Sequence, residues 1–265
     1  MSGTSGHPAV HSFVYRKAAC ILASAILCGW AGQALGEQPT APSLPPLTAT
    51  QIVNRMVEQT QQTQAELRGY TEIRHYRLVY HGFPHLEASM VVKATYTAPS
   101  TKTFQILSHS GPGLLVNRVL KRLLASEAEA ARDPQEADID SANYNFTLIG
   151  DSTANGAPCY LLKAEPKTDG KFFFRGEMCV NAKDFGIEVI NAEPAKNPSF
   201  WIRKTDIHHV YAKTGHFWLP RRDRSQSDIR FGGDAVLTID YGIPKIETDA
   251  TPSGAGSGKS AGKKR

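Results

Sequence analysis

The body of this chain lacks an excess of charge of either sign. The sequence holds 30 Lys and Arg residues against 25 Asp and Glu. Two of the basic residues lie in residues 1–36 and four in residues 251–265, and neither end holds an acid. Residues 37–250 therefore carry 24 basic and 25 acidic side chains, a net charge of −1. The basic excess belongs to the two ends, so we expect no nucleic-acid partner.

The second half of the chain lacks room for helices. Between Cys159 and Tyr241 apolar residues alternate with polar ones, a period of two that is typical of half-buried strands. Short turns containing Asp, Gly and Thr separate the runs. A parallel sheet would need crossovers of about a dozen residues, so the pattern predicts an antiparallel meander. The predicted strands are residues 160–165, 172–180, 187–190, 201–211, 217–229 and 235–241.

The chain also lacks the Gly-x-Ser-x-Gly elbow of many hydrolases. Residues 150–153 and 206–209 resemble the Ser block and the Asp-x-x-His block of one class of esterases. On a strand, however, residues three apart point to opposite faces, which separates Asp206 from His209. We predict that the protein is not an enzyme and has no catalytic residue. A hydrolase is the less favoured alternative, and it predicts loss of activity on changing Ser152.

The histidines lack the spacing of a metal site. His208 and His209 are adjacent, so on a strand they face opposite ways, and no His-x-His or Cys-x-x-Cys spacing accompanies them or His216. We therefore interpret all three as surface histidines and expect neither a metal nor a cofactor.

The N-terminal residues have the order of a secretory signal peptide. Arg16 and Lys17 precede an uncharged stretch, which ends in small residues at Ala34 and Gly36. We predict a signal peptide over residues 1–36 and a protein that is periplasmic or secreted, either free or peripheral to a membrane. Because the uncharged stretch approaches spanning length, a retained membrane anchor is the alternative.

The remaining boundaries follow from composition. Residues 37–47 are rich in proline and predict an extended linker. Residues 251–265 contain Gly, Ser and Lys but no apolar residue larger than Ala or Pro, so they cannot bury surface and should be disordered. Residues 48–250 are left as one domain.

Two segments of this domain show helical spacing. Ile52, Val53, Met56 and Val57 fall on one face of a first helix. Residues 113–132 predict a second, with an apolar stripe made of Leu115, Val119, Leu120, Leu123 and Leu124. Alternating segments at residues 70–80, 88–96 and 102–107 separate the two helices, and another at residues 144–150 follows them.

This element order predicts a mainly β, α+β fold: one strongly curved antiparallel sheet forming an incomplete β-barrel, with about two helices covering its concave face. Within it, residues 171–190 (KFFFRGEMCVNAKDFGIEVI), 193–198 (EPAKNP) and 215–220 (GHFWLP) resemble the outer-membrane lipoprotein-sorting protein family with the LolA-like fold, in its uncharacterised branch. The resemblance extends over about residues 48–245. No position matches the functional arginine of the studied carrier.

The resemblance implies an incomplete β-barrel closed by helices, with an apolar cavity for acyl chains and no catalytic residues. It therefore implies a monomeric carrier of lipid or lipoprotein acyl chains that takes part in lipoprotein sorting to the outer membrane. The alternative is a periplasmic sensor or interaction module of the same fold, with a filled cavity and a periplasmic or membrane protein as partner. Aromatic residues of the late strands, such as Phe174, Trp201 and Trp218, either line such a cavity or fill a core.

The cysteines predict one disulfide bond. Removal of the signal peptide takes Cys20 and Cys28 away and leaves Cys159 and Cys179 in an oxidising compartment. A hairpin turn centred on Asp169 would place residues whose numbers sum to 338 opposite each other, and the two cysteines fulfil this condition. Two buried free thiols are the alternative. The same register predicts that Leu162 faces Gly176, Lys163 faces Arg175 and Ala164 faces Phe174.

The second helix is a candidate lid over an acyl-chain site. We predict that Leu115, Val119 and Leu123 turn inward, and the residues 110–113 before them (SGPG) offer permissive backbone for a hinge. The alternative is a fixed helix that closes an ordinary core. The residues expected to face the lid and line the lipid cavity are Tyr160, Leu162, Phe174 and Met178.

Overall fold

The computed structural model describes residues 46–132, 137–197, 199–230 and 232–248. The predicted signal peptide, the predicted C-terminal tail and residues 37–45 of the predicted linker lie outside the described residues. No helix in the described part of the chain is long and apolar enough to cross a membrane.

The first predicted helix is confirmed as α1 (Ala49–Glu66). It begins with a capping box, in which the backbone N–H of Gln51 donates to the Thr48 hydroxyl and the backbone N–H of Thr48 donates to the Gln51 side chain. Ile52, Val53 and Met56 are its buried residues, as the apolar spacing predicts.

The second predicted helix is built from three consecutive pieces. They are α2 (Gly113–Leu115), a π-helical turn (Val116–Leu120) and α3 (Lys121–Arg132). We call residues 113–132 the cover segment. Its buried residues are Val116, Leu120 and Leu124, whereas Val119 is 39% exposed. The predicted inward position of Val119 is therefore wrong. The wider π turn changes which residues of the segment face the sheet.

The strands form one antiparallel sheet that is curved and unclosed, so the predicted incomplete barrel is confirmed. The sheet order is β3-β2-β1-β10-β9-β8-β7-β6-β5-β4, and β11 pairs with β1 beside β10. Strand β11 was not predicted; Pro244, which has no N–H to donate, separates it from β10. The bounds are β1 (Leu67–Tyr80), β2 (Leu86–Thr97), β3 (Thr101–Ser110), β4 (Tyr144–Ala154), β5 (Ala157–Pro166), β6 (Phe174–Asn181), β7 (Ile187–Pro194), β8 (Ile202–Thr214), β9 (Phe217–Ile229), β10 (Asp234–Tyr241) and β11 (Lys245–Thr248).

Both helices pack on one face of the sheet, the helix face. Directly opposed residues share a face, and the pairs Ile239–Asp223, Asp223–His209 and His209–Ile190 trace this face from β10 to β7. It carries two apolar clusters. The first core lies under α1 and includes Ile52, Met56, Tyr144, Tyr160, Leu162, Met178 and Ile190. The second core lies under the cover segment and includes Tyr76, Leu78, Met90, Val92, Val116, Leu120, Leu124, Ile239 and Tyr241.

The predicted disulfide is confirmed, but the predicted register around it is wrong by two residues. Cys159 and Cys179 are bonded, with their Cα atoms 5.6 Å apart. Yet Leu162 lies opposite Met178, Lys163 opposite Glu177 and Ala164 opposite Gly176.

The register differs because the loop between β5 and β6 is longer than a tight turn. Strand β5 ends at Pro166 and β6 begins at Phe174, so the loop is centred on Gly170. Phe173 turns into the first core, and its backbone N–H donates to the Gly170 carbonyl. A shift of two residues keeps every side chain on its predicted face.

Candidate functional site

Four charged side chains meet where the cover segment lies over β1 and β3. Arg74 on β1 is fully buried, and its Nε donates to Glu72 Oε1 at 2.8 Å. Its NH1 group donates to both carboxylate oxygens of Glu127 on α3, at 2.7 and 2.8 Å. The ammonium of Lys102 on β3 lies 2.5 Å from Glu127 Oε1. We call these four residues the charged cluster; it joins the cover segment to two strands.

The cluster shifts the pKa values of its members in different directions. Burial raises the pKa of Glu72, and the neighbouring Arg74 only partly offsets this. Burial also disfavours the charged form of Glu127, but Lys102 and Arg74 together outweigh it and hold the pKa of Glu127 below its usual value. Burial opposes the charge of Arg74, yet the carboxylates leave its pKa raised. Arg74 and Glu127 are therefore both ionised at neutral pH and form an ion pair within the cluster.

Aromatic rings complete the surroundings of Arg74. Its guanidinium lies 4.6 Å from the centre of the Tyr241 ring and 5.7 Å from that of Phe104, within the range of cation–π attraction. Tyr76, the next residue on the same face of β1, has a buried hydroxyl that makes no hydrogen bond of ordinary geometry within the described residues. Burial raises the pKa of Tyr76 to about 12. These rings shield the guanidinium of Arg74 from water, whereas the Glu127 side chain stays 26% exposed.

A polar strip on β8 and β9 separates the two apolar cores. The Tyr241 hydroxyl donates to Asp223 Oδ2 at 2.5 Å, and His209 Nδ1 lies 2.5 Å from Asp223 Oδ1. Further along the same pair of strands, the hydroxyls of Thr205 and Ser227 are 2.8 Å apart. Hydrogen-bonded side chains therefore occupy the middle of the helix face, with one helix on either side.

The structure does not bring the predicted lid and the predicted lipid-cavity residues together. Leu115 and Leu123 pack partly buried on the second core. Tyr160, Leu162 and Met178 are buried in the first core, and Phe174 packs against it. The reason is the sheet order, which places the strands under the cover segment at one end of the sheet and β5 and β6 at the other. The element that covers the β5–β6 hairpin is α1.

One contact does link the cover segment to the far end of the sheet. The Lys171 ammonium, in the loop between β5 and β6, donates to Glu129 Oε2 on α3 at 2.6 Å. Both side chains are more than half exposed. The pair adds little stability in water, but it shows that the end of α3 reaches that loop.

The esterase-like blocks do not form a constellation. Three strands lie between β4, which carries Ser152, and β8, which carries Asp206 and His209. Asp206 and His208 line a cavity of about 560 Å³ on the outer face, opposite the helix face, whereas His209 binds Asp223. Among the described residues, no group of three or more His, Cys, Asp and Glu side chains is arranged to hold a metal ion.

Sequence reasoning missed the charged cluster, although a signal for it is present. Glu72 and Arg74 alternate with Tyr70, Tyr76 and Leu78 on the face of β1 that turns out to be buried. Two opposite charges in the middle of an apolar face predict a buried ion pair. Their partners on α3 and β3 lie 53 and 28 residues beyond Arg74, and no local pattern connects them.

No protein-family model matches this chain, and no curated protein sequence does. Solved structures that are similar to it include a DUF1329 family protein from Desulfovibrio piger, with a TM-score of 0.38 and 11% identity, covering 78% of this chain and 96% of that chain. A LolA superfamily protein from Nitrosomonas europaea gives a TM-score of 0.37 and 13% identity, covering 76% and 94%. A domain described as an outer membrane lipoprotein-sorting protein, from Vibrio parahaemolyticus, gives a TM-score of 0.37 and 10% identity, covering 74% of this chain and 92% of that chain.

Proposed function

We propose that the protein is an exported, non-enzymatic carrier that binds acyl chains of a lipid or lipoprotein between the cover segment and the helix face. The observation that carries the proposal is the way the cover segment is attached. Its apolar side chains lie on the second core, while the charged cluster joins α3 to the sheet. The cover segment can then separate from the second core, and the strength of the charged cluster controls how readily it does so.

The free energy of replacing the cover segment by an acyl chain over the second core supports a lipid as the ligand. Lifting the cover segment removes the cover from Tyr76, Leu78, Met90 and Val92. An acyl chain in the same place covers them again and gains about 0.8 kcal/mol for each buried methylene group. Binding therefore needs no specific polar contact, and the apolar surface of the second core alone selects for a chain-like apolar ligand.

The disulfide bond supports the proposed location. Cys159 and Cys179 are joined on the described part of the chain, and disulfides persist in oxidising compartments such as the periplasm. Sorting of lipoproteins to the outer membrane is the most specific role that we propose within this function.

The first experiment is organic extraction of the purified protein followed by mass spectrometry, with binding of a fluorescent fatty-acid probe after the lipid has been stripped. We expect copurified lipid and probe binding at micromolar concentration. Glu127→Gln should increase the rate of probe uptake because it weakens the attachment of α3. Glu129→Gln is the matched control, since within the described residues Glu129 makes only the exposed pair with Lys171. Absence of probe binding to the stripped wild-type protein would refute the carrier function.

The second candidate function is a sensor or protein-interaction module. The observation that favours it is the outer-face cavity, whose lining carries both signs of charge, with Glu177, Glu193 and Asp206 facing Arg175 and Arg224. Mixed charge of this kind suits a polar protein surface better than an acyl chain. A specific protein partner whose binding is lost in Arg175→Glu, in a protein that contains no lipid on extraction, would favour this function over the carrier.

A further inference from the structure

The outward side of the cover segment carries three basic residues in little more than one turn. Arg118, Lys121 and Arg122 are exposed, and within the described residues none of them has an ion pair or hydrogen bond to another side chain. Residues 113–126 include no Asp or Glu. The first acid of the segment, Glu127, is turned inward to Arg74 and Lys102. The outward side therefore presents uncompensated positive charge.

Exposed apolar side chains lie among these cations. Leu114 is 65% exposed and Val119 is 39% exposed. Leu114, Arg118 and Arg122 follow one another at intervals of four residues, so they lie on one side of the helical axis. Basic and apolar side chains thus share one surface, which we call the docking face.

We propose that the docking face binds the surface of an anionic lipid bilayer. Lys and Arg side chains attract anionic headgroups, and apolar residues beside them enter the boundary between headgroups and acyl chains. The side of a helix is convex and offers no groove for a partner segment, whereas a lipid surface adapts to it. The proposal does not rest on acyl-chain binding, which uses the inward side of the same segment. It adds a place of action: the cover segment would meet the membrane directly.

The test is cosedimentation of the full-length protein with vesicles made of equal parts phosphatidylglycerol and phosphatidylcholine, at low salt. Each neutralised cation should lower the partition coefficient about fivefold, or ~1 kcal/mol. We therefore expect Arg118→Gln/Lys121→Gln/Arg122→Gln to bind about a hundredfold more weakly than the wild type. Added salt should weaken wild-type binding as well, because it screens exposed charges.

A matched control distinguishes the effect of the docking face on binding from the effect of the total charge of the protein. Lys93, Lys183 and Lys196 are exposed and lie outside the cover segment. Lys93→Gln/Lys183→Gln/Lys196→Gln removes the same charge and should bind like the wild type. Both triple variants keep the same N-terminal and C-terminal ends, so a contribution from those ends cancels in the comparison. Equal weakening of the two variants, or no weakening of either, would overturn the proposal.

A second readout reports position rather than affinity. In Leu114→Trp, vesicles containing brominated lipid should quench the added tryptophan beyond the quenching seen in the wild type. If the emission of this variant is unchanged by vesicles while soluble polyglutamate shifts it, the docking face recognises an acidic polypeptide and the lipid proposal is wrong. Vesicle binding and fatty-acid probe binding are measured separately, so either proposal can fail alone.

Discussion

At the scale of single residues, Arg74 has the most demanding environment described for this molecule. Its guanidinium is buried between two carboxylates and two aromatic rings. Taking such a charge out of water is unfavourable, and its partners offset the penalty only while all of them stay in place. One partner, Glu127, belongs to the cover segment rather than to the sheet. The position of the cover segment and the solvation of Arg74 are therefore linked.

Glu127→Gln should lower the free energy of unfolding at pH 7 by about 3 kcal/mol, because it leaves Arg74 and Lys102 buried without one of their carboxylates. The pKa of Glu127 is lower in the fold than its ordinary value near 4.5. The stabilisation by this carboxylate is therefore complete above that value and is lost as the pH falls through the folded pKa. Urea denaturation should show a difference from the wild type that shrinks below pH 4.

Glu72 should show the opposite dependence of stability on pH, because its pKa is raised whereas that of Glu127 is lowered. Burial raises it, so the folded protein favours the protonated form and Glu72 contributes least to stability at neutral pH. The negative charge of Glu127 also raises the pKa of Glu72, so Glu127→Gln should lower the pKa of Glu72, and variant and wild type are compared over the whole pH range. Glu129→Gln should change stability by less than about 1 kcal/mol. A difference for Glu127→Gln that stays constant down to pH 3 would contradict the assignment.

At the scale of elements, the π turn decides which side of the cover segment is buried. Leu120 is fully buried in the second core, whereas Val119 is 39% exposed. Leu120→Ala should therefore lower the free energy of unfolding by about 2–5 kcal/mol. Val119→Ala should lower it by less than about 1 kcal/mol. Urea denaturation of the two variants tests the orientation, and equal losses would mean that the segment is seated as the α-helical spacing alone predicts.

The joint between β3 and the cover segment is less permissive than its sequence indicates. Gly111 has a φ of +100°, and a Cβ atom there would lie 2.4 Å from the Glu87 carbonyl oxygen on β2. Gly113 has open space, with its nearest contact at 3.5 Å. Gly111→Ala should destabilise the protein by more than 1 kcal/mol, whereas Gly113→Ala should leave the thermal midpoint equal or higher. A lower midpoint for Gly113→Ala would contradict the open space found at that position.

Most elements can be predicted from the sequence because each strand or helix is amphipathic by itself. The alternation in β1 and the stripe of Ile52, Val53 and Met56 are local signals of this kind, and both are confirmed. The disulfide follows from two cysteines that remain on adjacent strands. Local sequence patterns do not predict the length of the 167–173 loop, the π turn or the strands on which each helix packs. These depend on packing between distant residues, such as Phe173 in the first core and Glu127 on Arg74.

At the scale of the whole molecule, the disulfide and the cover segment stabilise different halves of the sheet. Cys159 and Cys179 belong to a small cluster with Ala154 and Val189, apart from both cores. Cys159→Ala/Cys179→Ala should lower the free energy of unfolding by about 3 kcal/mol, given the sequence separation of 20 residues.

Hydrogen exchange should locate the effect of that double substitution. We expect amide protection to fall first in β5 and β6, with β1 and β2 affected less, because the polar strip on β8 and β9 separates the two cores. An equal loss of protection in all four strands would mean that the halves open together.

Strand β1 pairs with β2 on one side and with β10 and β11 on the other. Synthesis proceeds from the N-terminus, and an exported chain crosses the membrane in the same order, so that second side stays open until residues 234–248 have emerged. The buried residues of the first core all lie between Ile52 and Ala195, whereas the second core needs Ile239 and Tyr241. The nascent chain therefore passes through a stage in which one half can be complete while β1 offers an unpaired edge. That edge makes this stage the one most exposed to association with other chains.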